Sequence, residues 1–165
     1  MYLLDSNVFI QAKNRHYDFD FCPAFWDWLL QENENGNVFS IDKVKEEITT
    51  GDDDLVNWVN TNTSDQFFLL TDIQTTAEFP AINNWIFGEG YEQSATNEFM
   101  SVADYYLIAQ AKQRNAIVVT HEVPSNSLRK IKIPNACIGL NVNFVTPFMM
   151  LKQLHAKFIL QITLP

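Results

Sequence analysis

Two short apolar runs constrain this chain more than anything else in it. Tyr2-Leu3-Leu4 stops on Asp5 and passes directly into a helical apolar pattern, and Ala116-Ile117-Val118-Val119 stops on Thr120-His121-Glu122. Runs this short and this apolar read as strands buried on both faces, the habit of parallel sheets. Strands that alternate with helical patterns along a chain make an α/β fold, a mainly parallel central sheet with helices on both faces. In such sheets ligands bind outside the carboxyl ends of the strands. Both runs put a carboxylate there.

The rest of the chain fits that frame. A helix is expected from about Ser6 to Lys13, a loop over 14–22, and a helix opened by Pro23 and running to about Gln31, since proline suits a first helical turn. Val38–Ile41 reads as a strand, 43–50 as a helix, and Asp52-Asp53-Asp54 as the acidic start of another helix that ends near Asn62. Phe67–Leu70 reads as a strand, and 72–95 as an irregular, partly helical insert. Ser101–Asn115 is the clearest helix and Ile117–Thr120 the clearest strand; 123–135 reads as loop, Ala136–Ile138 and Val142–Val145 as short strands, and Pro147 to about Lys157 as a closing helix. At 165 residues the pattern describes a single domain, 1–165, long enough for a full core.

Composition narrows the setting. No apolar run approaches the ~20 residues that span a bilayer, and no basic stretch precedes the first strand, which argues against a signal peptide. Two cysteines, Cys22 and Cys137, make no disulfide framework, so the expected compartment is the cytoplasm, with no membrane partner. A net charge of −9 opposes a broad electrostatic grip on nucleic acid. Carboxylates that hold cations nevertheless count as negative in such arithmetic.

Four acids stand out. Asp5 either caps the helix after it or points into the crevice, oriented by Ser6, Asn7 and, from the neighbouring strand end, Thr120. Asp104 shares a helical stripe with Leu107, Ile108 and Ala111, which should face the sheet. A carboxylate there is costly unless paired or metal-bound, and Val102 and Ala103 look already helical, which weakens a capping role. Glu47 lies beside the apolar face set by Val44 and Ile48, whereas Glu46 points to solvent. Glu122 ends its strand as Asp5 ends the first, 18 residues after Asp104, far enough for the helix to cross the sheet and the strand to return. Each acid has an ordinary alternative as a cap or surface charge. Together they suit a hard cation, Mg²⁺ or Mn²⁺, and metal-activated water acting on a phosphodiester. His16 and His155 have no partner at zinc-ligand spacing, and His121 reads as a loop residue. Lys13, Arg15, Arg129 and Lys130 are the basic residues best placed to touch a polyanion. The aromatic segment Phe19, Phe21, Phe25, Trp26 and Trp28 reads chiefly as core, with base stacking as the alternative.

These motifs resemble the PIN-domain ribonucleases of the VapC toxin type. Leu4-Asp5-Ser6-Asn7-Val8-Phe9-Ile10 resembles their opening signature, Val44–Ile48 their helix acid, Ala103–Ala109 their central acid, and Val118–Glu122 their closing element. The tail from Lys132 to Leu151 is similar to an uncharacterised PIN-like bacterial family often encoded beside a helix-turn-helix partner. The resemblance implies a PIN-like three-layer sandwich and Mg²⁺- or Mn²⁺-dependent cleavage of RNA by Asp5, Glu47, Asp104 and Glu122. It further implies inhibition by an antitoxin protein, of helix-turn-helix type if the tail is a guide; a homodimer is a further expectation. Ser6 stands where the family usually has Thr, and Glu122 where Asp is commoner. The competing reading is a catalytically silent PIN-like module that binds RNA or protein. Haloacid-dehalogenase chemistry needs an acid where Asn7 stands, and a response regulator needs an acidic pair after the first strand.

Overall fold

The computed structural model describes residues 1–159. Five parallel strands form one sheet in the order β3-β2-β1-β4-β5: β1 Tyr2–Leu4, β2 Val38–Ile41, β3 Phe68–Leu69, β4 Ile117–Val119 and β5 Phe144–Val145. The chain builds outward from β1 to β2 and β3, then returns to lay β4 and β5 on the other side. The switch point of the topology therefore lies between β1 and β4, which pair in register from Tyr2↔Ile117 to Leu4↔Val119. Asp5 and Thr120 leave the sheet side by side.

Ten α-helices among the described residues flank the sheet, giving the PIN-like α/β architecture expected. Helix α1 (Ser6–Gln11) runs into a π-helical turn, Ala12–His16, within the stretch read partly as loop. Helices α2 (Pro23–Glu34), α3 (Asp42–Ile48) and α4 (Asp54–Asn62) follow. Around them Phe9, Trp26, Trp58 and Phe67 pack with ring centroids 4.8–6.5 Å apart. Phe25, Trp26 and Trp28 are buried and Phe19 stacks on Trp26, so the aromatic segment is core, with Phe21 alone largely exposed.

The insert resolves into α5 (Ile73–Thr76), α6 (Phe79–Gly88) and α7 (Gln93–Ser101). Val102 then turns extended, at φ −109° and ψ 170°, before α8 (Ala103–Arg114). Ser101 and Val102 are thus not part of the central helix, contrary to the periodicity, and Asp104 stands in its first turn. Leu107, Ile108 and Ala111 are fully buried, as the stripe required.

One expected strand is wrong. Ala136–Ile138 lies inside α9 (Ile133–Leu140), and only Phe144–Val145 of the next run pairs in the sheet. Pro134 sits in the first turn of α9, and Asn141, left-handed at φ 56°, ends it. A short apolar run does not distinguish strand from buried helix; here the boundary residues decide for helix. α6 lies against α9 through Trp85, which meets the backbone at Gly139 so closely that a Cβ there would overlap the indole. Helix α10 (Pro147–Gln153), capped by the Thr146 hydroxyl, ends the described elements, short of the expected Lys157. The apolar stretch from Phe148 to Leu164 extends at 160–164 outside the described residues.

Candidate carboxylate pocket

The β1–β4 switch point opens into a cavity of about 190 Å³ lined by Ser6, Asn7, Glu47, Glu98, Asp104, Glu122 and Lys130. That is several times the ~30 Å³ of one liquid water, room for a hydrated ion or a phosphate group. Asp5, just before the lining residues Ser6 and Asn7, is buried beside the cavity. Its carboxylate is 1% exposed and accepts hydrogen bonds from Thr120 Oγ1 at 2.9 Å and Ser6 Oγ at 3.3 Å. Its backbone N–H donates to Val119, so the first residue beyond β1 is still held by β4. The Asn7 backbone N–H in the first turn of α1 also favours the ionised Asp5, a weak capping contact that leaves most of the carboxylate's bonding to the two hydroxyls.

Asp104 enters from the first turn of α8 and Glu47 from α3, two helices packed against each other. Glu46, one residue earlier, is paired with Lys43 at 2.7 Å, while Glu47 lines the cavity. Glu122 arrives from the bend after β4. Its Oε1 accepts from Lys132 Nζ at 2.6 Å and its Oε2 from the Ile133 N–H at 2.9 Å. It thereby caps α9 and clamps the loop that carries Lys130 over the cavity.

The electrostatics separate these acids. Burial pushes the Asp5 carboxyl up to about 6, the Thr120 hydrogen bond opposes that rise, and the charges of Glu122 and Glu47 add to it. Asp104 is pushed up to about 8, first by burial and then by Asp5, Glu122 and Glu47, against a smaller opposing pull from Lys130. Burial and neighbouring carboxylates thus both disfavour the charged forms of these two acids, which a bound cation would favour. An all-oxygen donor set of this kind fits a hard divalent cation. The fit is partial: among the described residues, no three His, Cys, Asp or Glu side chains stand together at metal-ligating spacing.

Glu98 is the residue that sequence reasoning missed. On α7 it looks like any surface helix acid, and only the reversal at Val102 turns it to the cavity, 3.9 Å from Lys130. Lys132 stands out in the sequence only as one of the basic residues of 129–132, and its pairing with Glu122 has no sequence signal. Of the four expected polyanion contacts, only Lys130 lines the cavity. Lys13 is ion-paired with Asp53, Arg129 with Glu92 at 3.3 Å, and Arg15 is exposed without an ion pair among the described residues. His16 stacks face to face on His121, with centroids 5.6 Å apart, so their ring nitrogens do not converge on one ion.

No helix among the described residues is long and apolar enough to cross a membrane. Solved structures of the same fold include FitAcB from Neisseria gonorrhoeae, 19% identical over 90% of this chain and 99% of that one, with a TM-score of 0.56. FitAB bound to an IR36 DNA fragment is similar to the same degree, over 90% of this chain and 96% of its own. No protein of curated function matches. A family model described as a domain of unknown function, DUF4411, matches residues 2–158, almost the whole of the described chain, and the protein belongs to that family.

Proposed function

We propose that this protein is a Mg²⁺- or Mn²⁺-dependent endoribonuclease, the toxin of a toxin–antitoxin pair. The observation that carries the reading is the pair Asp5 and Asp104. Asp5 is buried and Asp104 half-buried at the switch point of a parallel sheet, and burial, with the neighbouring acids, pushes both carboxyls well above the ordinary range. A divalent ion bound there would supply an acidified water as nucleophile and charge stabilisation for the phosphate. Thr120 and Ser6 orient Asp5, and Glu47 extends the acidic wall towards solvent. Lys130, on the exposed side, suits a non-bridging phosphate oxygen and would bring the strand to the acids.

The likeness to FitAcB and FitAB supports a chain that works with a protein partner, here an antitoxin, with a helix-turn-helix type suggested by the tail. A cytoplasmic location follows from that role.

The test is cleavage of a mixed tRNA and mRNA pool by purified protein, with Mn²⁺ and with EDTA, beside Asp5→Asn. Cleavage that requires both the metal and Asp5 is the expected result. One observation favours the silent binding module instead: Glu122 is already occupied by Lys132 and Ile133, which leaves the acids without a third ligand. A folded protein that binds RNA with no cleavage in either metal would establish that alternative.

A further inference from the structure

Beside the carboxylates lies a second cluster that the cleavage reading does not use. His16 comes from the π-helical turn after α1, His121 from the bend after β4, and Phe148 from the first turn of α10. These three separate elements bring their rings together at the carboxyl edge of the sheet. His16 and His121 stack with 27° between planes, and Phe148 stands edge-on to both, at 5.4 and 6.2 Å and 79° and 74°. Phe148 is 52% exposed, although the Thr146 cap fixes the backbone around it. A phenyl held rigidly at a rim with half its surface in water adds little to a core. The cluster is one residue from the pocket on both sides of His121: Thr120 holds Asp5, and Glu122 lines the cavity. Arg15, next to His16, is exposed and without an ion pair among the described residues.

We propose that Phe148, with His16 and His121 behind it, is a stacking subsite for an unpaired base of the RNA strand whose phosphate lies in the carboxylate pocket. The proposal rests on the ribonuclease reading and adds to it a base-binding subsite built by three segments outside the carboxylate pocket. Charge supports it. The protein carries −9 overall, and Lys13 and Arg129 are tied to acids, so phosphate contacts are confined to the pocket and contacts with bases would add to the affinity they supply. Aromatic faces supply such contacts without regard to sequence. A base within a duplex has no free face to offer.

The test measures binding and cleavage separately. Fluorescence anisotropy in Ca²⁺, a hard cation for the carboxylates, with the strand checked intact after each titration, compares a uridine decamer with a decamer of abasic ribose-phosphate, using wild type, Phe148→Ala and Phe148→Trp. Wild type is expected to prefer the base-bearing strand by about 5- to 150-fold, the range that stacking on one aromatic side chain provides. Phe148→Ala should lose that preference and Phe148→Trp should keep it, with melting temperatures unchanged. Equal binding of the two strands by wild type, or an unaltered preference in Phe148→Ala, overturns the subsite. So does a Phe148→Ala variant that binds RNA normally but dissociates a dimer, which would make the patch a protein interface. Cleavage of the same uridine strand in Mn²⁺ reports on the nuclease reading alone. A Phe148-dependent preference without cleavage keeps the subsite and discards the nuclease; cleavage indifferent to Phe148 does the reverse.

Discussion

The ends of β1 and β4 each carry an acid, and the two acids have opposite fates. Asp5 is sealed from solvent and receives neutral donors, the hydroxyls of Thr120 and Ser6 and the Asn7 backbone N–H. Glu122 faces a lysine and a helix N-terminus, and both its oxygens are bonded. Glu122 is thus compensated inside the fold, while Asp5 and its neighbour Asp104 are left repelling one another. Folding alone gives no reason to keep two such groups together. A buried acid satisfied by the protein is read as architecture, and one left wanting a cation as a site.

The largest effect that would break this contrast is on activity. Asp5→Asn and Asp104→Asn should each abolish Mn²⁺-dependent cleavage, by at least about 10²- to 10³-fold if the ion contributes several kcal/mol to the transition state, while the fold survives. Single-turnover assays with melting curves check both points, and cleavage retained by Asp104→Asn would end the mechanism. Thr120→Val leaves Asp5 in place but removes its best donor, with an expected loss of about 10- to 100-fold in metal affinity or rate; a titration of Mn²⁺ against cleavage separates the two.

Glu122 should respond in the other currency. Glu122→Ala removes a charged hydrogen bond and a helix cap, and should cost about 2–4 kcal/mol in urea unfolding. Its cleavage loss should be smaller than that of Asp5→Asn. Equal losses would mean that Glu122 leaves Lys132 to join the active ion.

The pH dependence of stability sharpens the contrast further. An acid whose folded pKa is raised keeps its stability contribution below its unfolded value near 3.8 and loses it as pH rises through the folded value. In EDTA, stability should therefore fall between pH 4 and pH 8, through about 6 for Asp5 and about 8 for Asp104. Mn²⁺ should flatten that fall, and Asp104→Asn should melt above wild type at pH 9. Thermal melts over that range, with and without metal, decide it. The smallest effect separates two adjacent residues: Glu47→Gln should slow cleavage, and Glu46→Gln, whose acid is engaged by Lys43 at the surface, should leave it unchanged.

Much of this was legible in the order of residues alone. The strands β1, β2 and β4, the parallel sheet and the inward stripe of Asp104 follow from apolar periodicity, a local property that neighbouring residues carry between them. The choice of Glu47 over Glu46 followed from the same spacing, since one residue turns a helical side chain by about 100°. What failed lay at boundaries and in long-range pairs. Ala136–Ile138 has the composition of a strand, but its first turn is capped by Glu122 from beyond an intervening loop. Glu98 carries no local mark, and nothing local pairs Lys132 with Glu122.

By itself, then, the sequence determined which segments are strands and helices and which acids end them, because those choices rest on neighbours within a few residues. Only the tertiary structure decided what each acid meets. It gave Lys132 to Glu122, set Asp104 against Asp5 with only a small pull from Lys130, turned Glu98 towards the pocket, and gathered His16, His121 and Phe148 from three distant segments. The physical reason is that pairing and burial depend on distances in space, which the crossing of the chain between β1 and β4 sets and no local pattern encodes.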